Sequence, residues 1–322
     1  MTRDRQDTPT SERYARFALP GMERPVYYTS SAPLEEGSRS RLAVIHIHGW
    51  GNGVNVARTD APMAAAIASV MGGEDPYVVS PLFPRAEILE RSGVGDDGRA
   101  VWNGSWGKAL DKAGSPDDDW RGGGDAGGTK TSSFEVVDDV LAALGDRSRF
   151  PNLQRVVLAG YSAGGQFVGR YAAVGKGVVS DGVELEFAAM APSTELLLDP
   201  GTRWHYGLKG MPRYSAGMTM ERILANLSSR RVWRACGTAD VLGAPHTALD
   251  SCPEAMAQGA NRYERFRNFE KYLSRHPAWA AQVSFHAFEG VAHNSLAAYT
   301  SREFATFAAG SLMRGGANAE MG

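Results

Sequence analysis

Apolar residues along this 322-residue chain fall into two alternating patterns: short β-branched runs, and longer stretches with apolar positions three and four apart. The first pattern predicts strands at Tyr14 to Leu19, Pro25 to Thr29, Arg41 to His48, Pro76 to Ser80, Arg155 to Ala159, Leu185 to Ala191, Arg231 to Cys236 and Gln282 to Phe288. The second predicts helices at Asp60 to Met71, Ser132 to Leu144, Gln166 to Val174, Thr219 to Ser229, Pro253 to about Arg275 and Leu296 to Leu312. Strands that alternate with helices after a hairpin-like opening pair imply a mostly parallel sheet covered on both faces. Loops at the carboxyl ends of such strands share one rim, and chemistry belongs there.

Two segments break the alternation. Residues 85 to 131 carry Trp102, Trp106 and Trp120, and residues 192 to 218 carry Trp204, His205, Tyr206, Met211, Tyr214 and Met218. Loops of this length in a compact domain are commonly functional lids. Their aromatic and methionine content, with Tyr161 beside the serine described next, predicts a cleft for an uncharged small-molecule ester with apolar or aromatic groups, touched by Tyr161, Trp106, Trp204 and His205. The Asp-rich pieces around Asp96 and Asp117 fit no calcium-loop spacing, so no metal is expected.

Between the strand run ending at Ala159 and the helix pattern starting at Gln166 lies Gly160-Tyr161-Ser162-Ala163-Gly164. A serine on so sharp a strand-to-helix turn projects its hydroxyl above the sheet and needs small neighbours. The motif by itself is a weak signal in a chain rich in glycine and serine. Its position between a buried strand and an amphipathic helix is what marks Ser162 as a nucleophile.

Serine chemistry also requires a base, an acid to orient it, and donors for the developing oxyanion. Asp240 follows the run ending at Cys236, and His293 follows the last strand, giving the order Ser162, Asp240, His293. Asp250 and Asp199 are alternatives for the acid; His286, His276, His246 and His205 are alternatives for the base. For the oxyanion, the amide after the nucleophile, Ala163, pairs with Trp50 in the loop His46-Ile-His-Gly-Trp-Gly-Asn-Gly53, where glycines let the backbone curl. No phosphate-loop pattern is present, so no nucleotide cofactor is expected.

Charge narrows the partners. With 34 basic and 36 acidic residues the net charge is −2, which argues against nucleic acid. No stretch approaches the roughly 20 apolar residues of a membrane span. Met1 to Asp7 does not read as a leader peptide, which predicts a cytoplasmic protein. A secreted or periplasmic setting would follow if a leader had been removed and Cys236 and Cys252, the only cysteines, formed a disulfide. Oligomeric state leaves no trace in the sequence.

His48-Gly49, Gly160 to Gly164, Gly237 to Asp240 and His293 together resemble the α/β-hydrolase superfamily over nearly the whole chain. Phe150-Pro-Asn-Leu, Ala159 to Gln166 and Gln258-Gly-Ala-Asn-Arg262 look like a narrower set of bacterial and fungal hydrolases. The resemblance implies a metal-free fold, usually of eight strands, and a departure from it is Tyr161 where many members place His. The expectation is one α/β domain spanning 1–322, with an ordered core from about 13 to 314, that cleaves a carboxylic ester through an acyl-enzyme. Acyl transfer, thioester or amide hydrolysis, and a non-catalytic binding role are the alternatives on the same fold.

Overall fold

The computed structural model describes residues 14–102, 119–244 and 246–315. Eight strands form one sheet: β1 (Ala15–Ala18), β2 (Tyr27–Ser30), β3 (Leu42–Ile47), β4 (Tyr77–Pro81), β5 (Arg155–Tyr161), β6 (Glu184–Met190), β7 (Val232–Gly237) and β8 (Val283–Phe288). Their spatial order is β1-β2-β4-β3-β5-β6-β7-β8, with β1 and β2 antiparallel and the strands from β4 to β8 parallel. β3 and β5 run side by side from Leu42–Arg155 to Ile47–Gly160, so the loop after β3 opens directly beside Ser162.

Period-two alternation sorts the strand residues between two apolar layers. Ile45, Ile47, Val156 and Leu158 enter one layer; Val44, Val157, Ala159 and Tyr161 enter the other. The helices are α1 (Ala57–Val70), α2 (Ala86–Arg91), α3 (Ser133–Leu144), α4 (Ala163–Val174), α5 (Met220–Ser229), α6 (Pro253–Met256), α7 (Arg262–Leu273), α8 (Pro277–Ala280), α9 (Ser295–Tyr299) and α10 (Arg302–Ala309). α1, α9 and α10 cover the Tyr161 face, while α3, α4 and α5 cover the opposite one.

Two helical stretches are shorter than the periodicity predicts. The run from Pro253 divides into α6 and α7 because Gly259 has φ 144° and Asn261 begins a new helix by accepting from the Glu264 amide. The run from Leu296 divides where Ser301 caps α10 through the Phe304 amide. At α3 the capping box is complete: Ser132 accepts from Phe134 N, and Glu135 accepts from Ser132 N. No helix among the described residues is long and apolar enough to cross a membrane.

Candidate active site

β5 delivers Ser162 at a turn with φ 59° and ψ −116°, and α4 starts at the next residue. A non-glycine residue in that region is strained, and its surroundings must hold it there. The Ser162 amide donates to Met190 O at 2.9 Å and its carbonyl accepts from Gln166 N at 3.0 Å. The small neighbours are obligatory: a Cβ on Gly160 would meet Gly164 O at 2.2 Å, one on Gly164 would meet Ile47 O at 2.1 Å, and one on Gly165 would meet Met190 O at 2.3 Å.

Asp240 and His293 are brought to Ser162 by the turns after β7 and β8, which are laced together. Thr238 N donates to Phe288 O and Ala239 N donates to Val291 O, both at 3.0 Å. Gly237 permits this, because a Cβ there would lie 2.0 Å from Val291 O. His293 Nδ1 is 2.6 Å from Asp240 Oδ2, and Nε2 is 3.0 Å from Ser162 Oγ. An ionised carboxylate can only accept, so Nδ1 carries the hydrogen and Nε2 offers its lone pair to the serine hydroxyl. Asp240 is 2% exposed, with Arg262 Nη1 3.7 Å from its other oxygen. The His293 ring packs 5.0 Å from that of Tyr161.

The loop after β3 lies against the elbow, since Ile47 O and His48 O are the atoms nearest a Cβ on Gly164. His48 pins it: Nδ1–H donates to Gly49 O at 2.8 Å and Nε2 accepts from Phe83 N at 2.9 Å. Burial pushes the His48 imidazole down to about 4, so it is neutral at pH 7, as that pair of bonds requires. Two guanidiniums lie over the Trp50 ring, Arg85 at 3.7 Å and Arg121 at 4.4 Å from its centre, and Arg85 also donates to Trp50 O at 3.4 Å. Ala163 opens α4, where a backbone N–H has no intrahelical acceptor and the helix dipole favours negative charge.

A cavity of about 300 Å³ opens here, with Ser162, His293, Trp50 and Tyr161 in its wall. Trp204 and His205, expected from the sequence to touch substrate, do not line it. Both are buried, Trp204 donates from Nε1 to Gly122 O at 3.0 Å, and His205 O accepts from Arg170 at 3.1 Å. Leu196, Trp204, Tyr206 and Leu208 join the core on the α4 side, so the apolar content of the 192–218 insertion is spent on packing. Trp106 lies outside the described residues.

The two cysteines were open in the sequence to a disulfide or to two free thiols, and the structure has the second. Cys236 and Cys252 are free thiols, buried in opposite layers, Cys236 with Tyr161 and Phe288 and Cys252 with Trp204 and Tyr206. Burial raises the Cys236 pKa well above the usual thiol range, which disfavours the thiolate. Of the alternative acids, Asp250 accepts from Gln166 Nε2 at 3.0 Å and Asp199 from Thr202 at 2.5 Å. Of the alternative bases, His286 stacks on Trp233 and His276 packs on Tyr272.

Sequence reading passed over a second histidine–carboxylate pair. His46 Nδ1 is 2.6 Å from Asp60 Oδ1, and His46 lines the same cavity as Ser162. The alternation His46-Ile47-His48 on a strand was the available signal. Among the described residues no group of three His, Cys, Asp or Glu is placed to hold a metal.

No family model matches the chain, and a search of curated proteins gives no match. Solved structures do resemble it. A poly(3-hydroxybutyrate) depolymerase from Bordetella parapertussis is 21% identical, with TM-score 0.62 over 91% of this chain and 89% of that one. Poly(aspartic acid) hydrolase-1 from Sphingomonas sp. KT-1 is 21% identical, with TM-score 0.62 over 92% of this chain and 98% of that one. At this identity the likeness is one of fold, and the fold is that of the α/β-hydrolases.

Proposed function

We propose that the chain is a serine hydrolase that cleaves a carboxylic ester through an acyl-enzyme. The observation that carries this is the unbroken hydrogen-bond chain Ser162–His293–Asp240 on a strained elbow, opening into a cavity. One neighbour is named a depolymerase and the other a hydrolase, which agrees with the reading.

On substrate binding, Ser162 Oγ attacks the ester carbonyl as His293 Nε2 takes its proton. The tetrahedral oxyanion is held by the Trp50 and Ala163 amides, a donor pair of the kind whose loss costs about 3 to 4 kcal/mol per donor. Asp240 holds the imidazole in the Nδ1–H tautomer and stabilises its cation. His293 then passes the proton to the leaving alkoxide, and a water activated by the same imidazole releases the acid. His293 stands at the open side of the cavity, with its side chain 28% exposed, where water can enter.

Ser162→Ala is expected to abolish labelling by a fluorophosphonate and to lower kcat on a short-chain ester by on the order of 10⁴- to 10⁶-fold. Full labelling of the variant would sink the assignment. Incubation with ester in water alone, against water with added alcohol, separates hydrolysis from acyl transfer.

A further inference from the structure

Asp240 carries its charge with almost no water around it, since its side chain is 1% exposed, and a lone carboxylate out of water is strongly disfavoured. One oxygen, Oδ2, takes the His293 Nδ1–H at 2.6 Å. Facing the other, Oδ1, is Nη1 of Arg262 at 3.7 Å, an ion pair rather than a hydrogen bond, and the arginine side chain is itself fully buried. Tyr161 of β5 and Cys236 of β7 also face Asp240. Burial, reinforced by the carboxylate, pushes both of their pKa values far above neutral, so neither carries charge. Asp250 acts on Arg262 as well, but it is already paired with Arg121 at 3.6 Å and accepts from Gln166 at 3.0 Å.

The first turn of α7 puts Arg262 in this place. Asn261 caps the helix by accepting from Glu264 N at 2.9 Å, so Arg262 is the first helical residue, and the next amide, Tyr263 N, donates to Asp240 O at 3.2 Å. One turn thus grips the Asp240 backbone and sets a guanidinium beside its carboxylate. Nη1 also donates to Thr247 Oγ1 at 3.3 Å and Nη2 to Ala248 O, which fixes the planar group in one orientation. Burial pulls the Arg262 pKa down, and Asp240 is the largest charge opposing that; a guanidinium stays protonated at neutral pH nonetheless.

We propose that Arg262 is a positioning residue that acts through Asp240: it is the resting counter-ion of the buried carboxylate, and so lets His293 stand neutral and ready to take the Ser162 proton. Two cations can balance Asp240, the guanidinium or a protonated imidazole. With Arg262 in place the balance is met without protonating His293. Without it, the buried carboxylate draws a proton onto the ring, and an imidazolium has no lone pair for the serine. The chain of hydrogen bonds then works only at higher pH. The inference rests on the ester-hydrolase reading, because it matters only if His293 is the base.

The readout is the pH dependence of a step that needs neutral His293. The second-order rate of fluorophosphonate labelling, and kcat/KM on p-nitrophenyl butyrate, should both fall on the acid side in the wild type. In Arg262→Gln that acid limb should move up by roughly 0.5 to 1 on the pH scale, so that rates below it fall roughly 3- to 10-fold while those near about pH 8.5 change less than about twofold. Arg262→Lys keeps the cation and should keep the limb of the wild type. A merely structural arginine would lower the rates by one factor at every pH. That result, an unmoved limb in Arg262→Gln, or an equal shift in Arg262→Lys would overturn the proposal. If Arg262→Gln does not fold, the double change Asp240→Asn with Arg262→Gln decides: it removes both buried charges together and should restore folding. A double variant as unfolded as the single one would show that the arginine holds the 247–248 loop and not the charge, and would overturn the proposal too. A wild type that is neither labelled at any pH nor able to hydrolyse the ester would be the failure of the hydrolase reading itself, and the proposal would fall with it.

Discussion

His48 shows how one side chain can hold a site without entering it. It bonds Gly49 O and Phe83 N at once, which only a neutral imidazole with hydrogen on Nδ1 can do. Burial lowers its pKa from 6.5 to about 4. Between those values the unfolded chain binds a proton that the folded chain refuses, so stability falls as pH drops from 6.5 towards 4 and the loss levels off below it. The gap corresponds to an effect on the order of 3 kcal/mol. Urea unfolding at pH 7, 5.5 and 4 should show this slope, and His48→Gln, which keeps a donor and an acceptor without titrating, should show a shallower one. An equal slope in the variant would move the effect to other groups. That Ser162, Asp240 and His293 meet was legible in the sequence because each comes soon after a strand signal. The His46–Asp60 pair was not, since its members lie on β3 and α1 and meet only when the helix packs on the sheet.

Among elements, the strands were legible almost to the residue, because continuous apolar runs bounded by polar turns leave a buried parallel sheet little freedom of register. Helix ends were less so: periodicity continues across Gly259 and Ser301, and only a local backbone turn or a side-chain cap stops the helix. Aromatic content misled in the 192–218 insertion, since a cleft wall and a buried plug have the same composition. Elbow glycines, by contrast, carry a steric meaning that can be measured. Gly164→Ala would drive a methyl to 2.1 Å from Ile47 O, so β3 and α4 must separate. Overpacking of this kind costs roughly 1 to 3 kcal/mol or more, and the displaced strand carries the Trp50 loop with it. Gly164→Ala should therefore lose both thermal stability and fluorophosphonate labelling, while Gly217→Ala, which has open space, should keep both. Normal labelling of a stable Gly164→Ala protein would refute the close-packed elbow.

Across the whole molecule, the insertions are joined to the rim that carries Ser162 by buried charge rather than by apolar packing alone. Arg121 bonds Asp119 at 2.7 Å, lies 3.6 Å from Asp250, and donates to Gln166 on α4 at 3.3 Å. Burial disfavours its charge, yet Asp119 and Asp250 outweigh that and hold its pKa upward. Gln166 also donates to Thr194 and Asp250, and Arg265 on α7 donates to the carbonyls of Ser193 and Asp250. One network thus ties the 119–122 turn, the start of the second insertion, the loop that carries Ala248 to the cavity, and the helix that follows Ser162. Removing one charge from such a set costs more than removing an exposed pair, because the partner stays buried and uncompensated. Asp250→Asn should lower unfolding stability by about 3 to 5 kcal/mol with an unchanged denaturant slope. Arg213→Ala, which breaks partly exposed pairs with Asp125 and Glu135, should cost under about 1 kcal/mol. Two separate transitions in Asp250→Asn would mean that the insertions unfold on their own once the network is cut. Equal losses in the two variants would show that apolar packing, not Arg121 and its acids, holds the insertions to the rim.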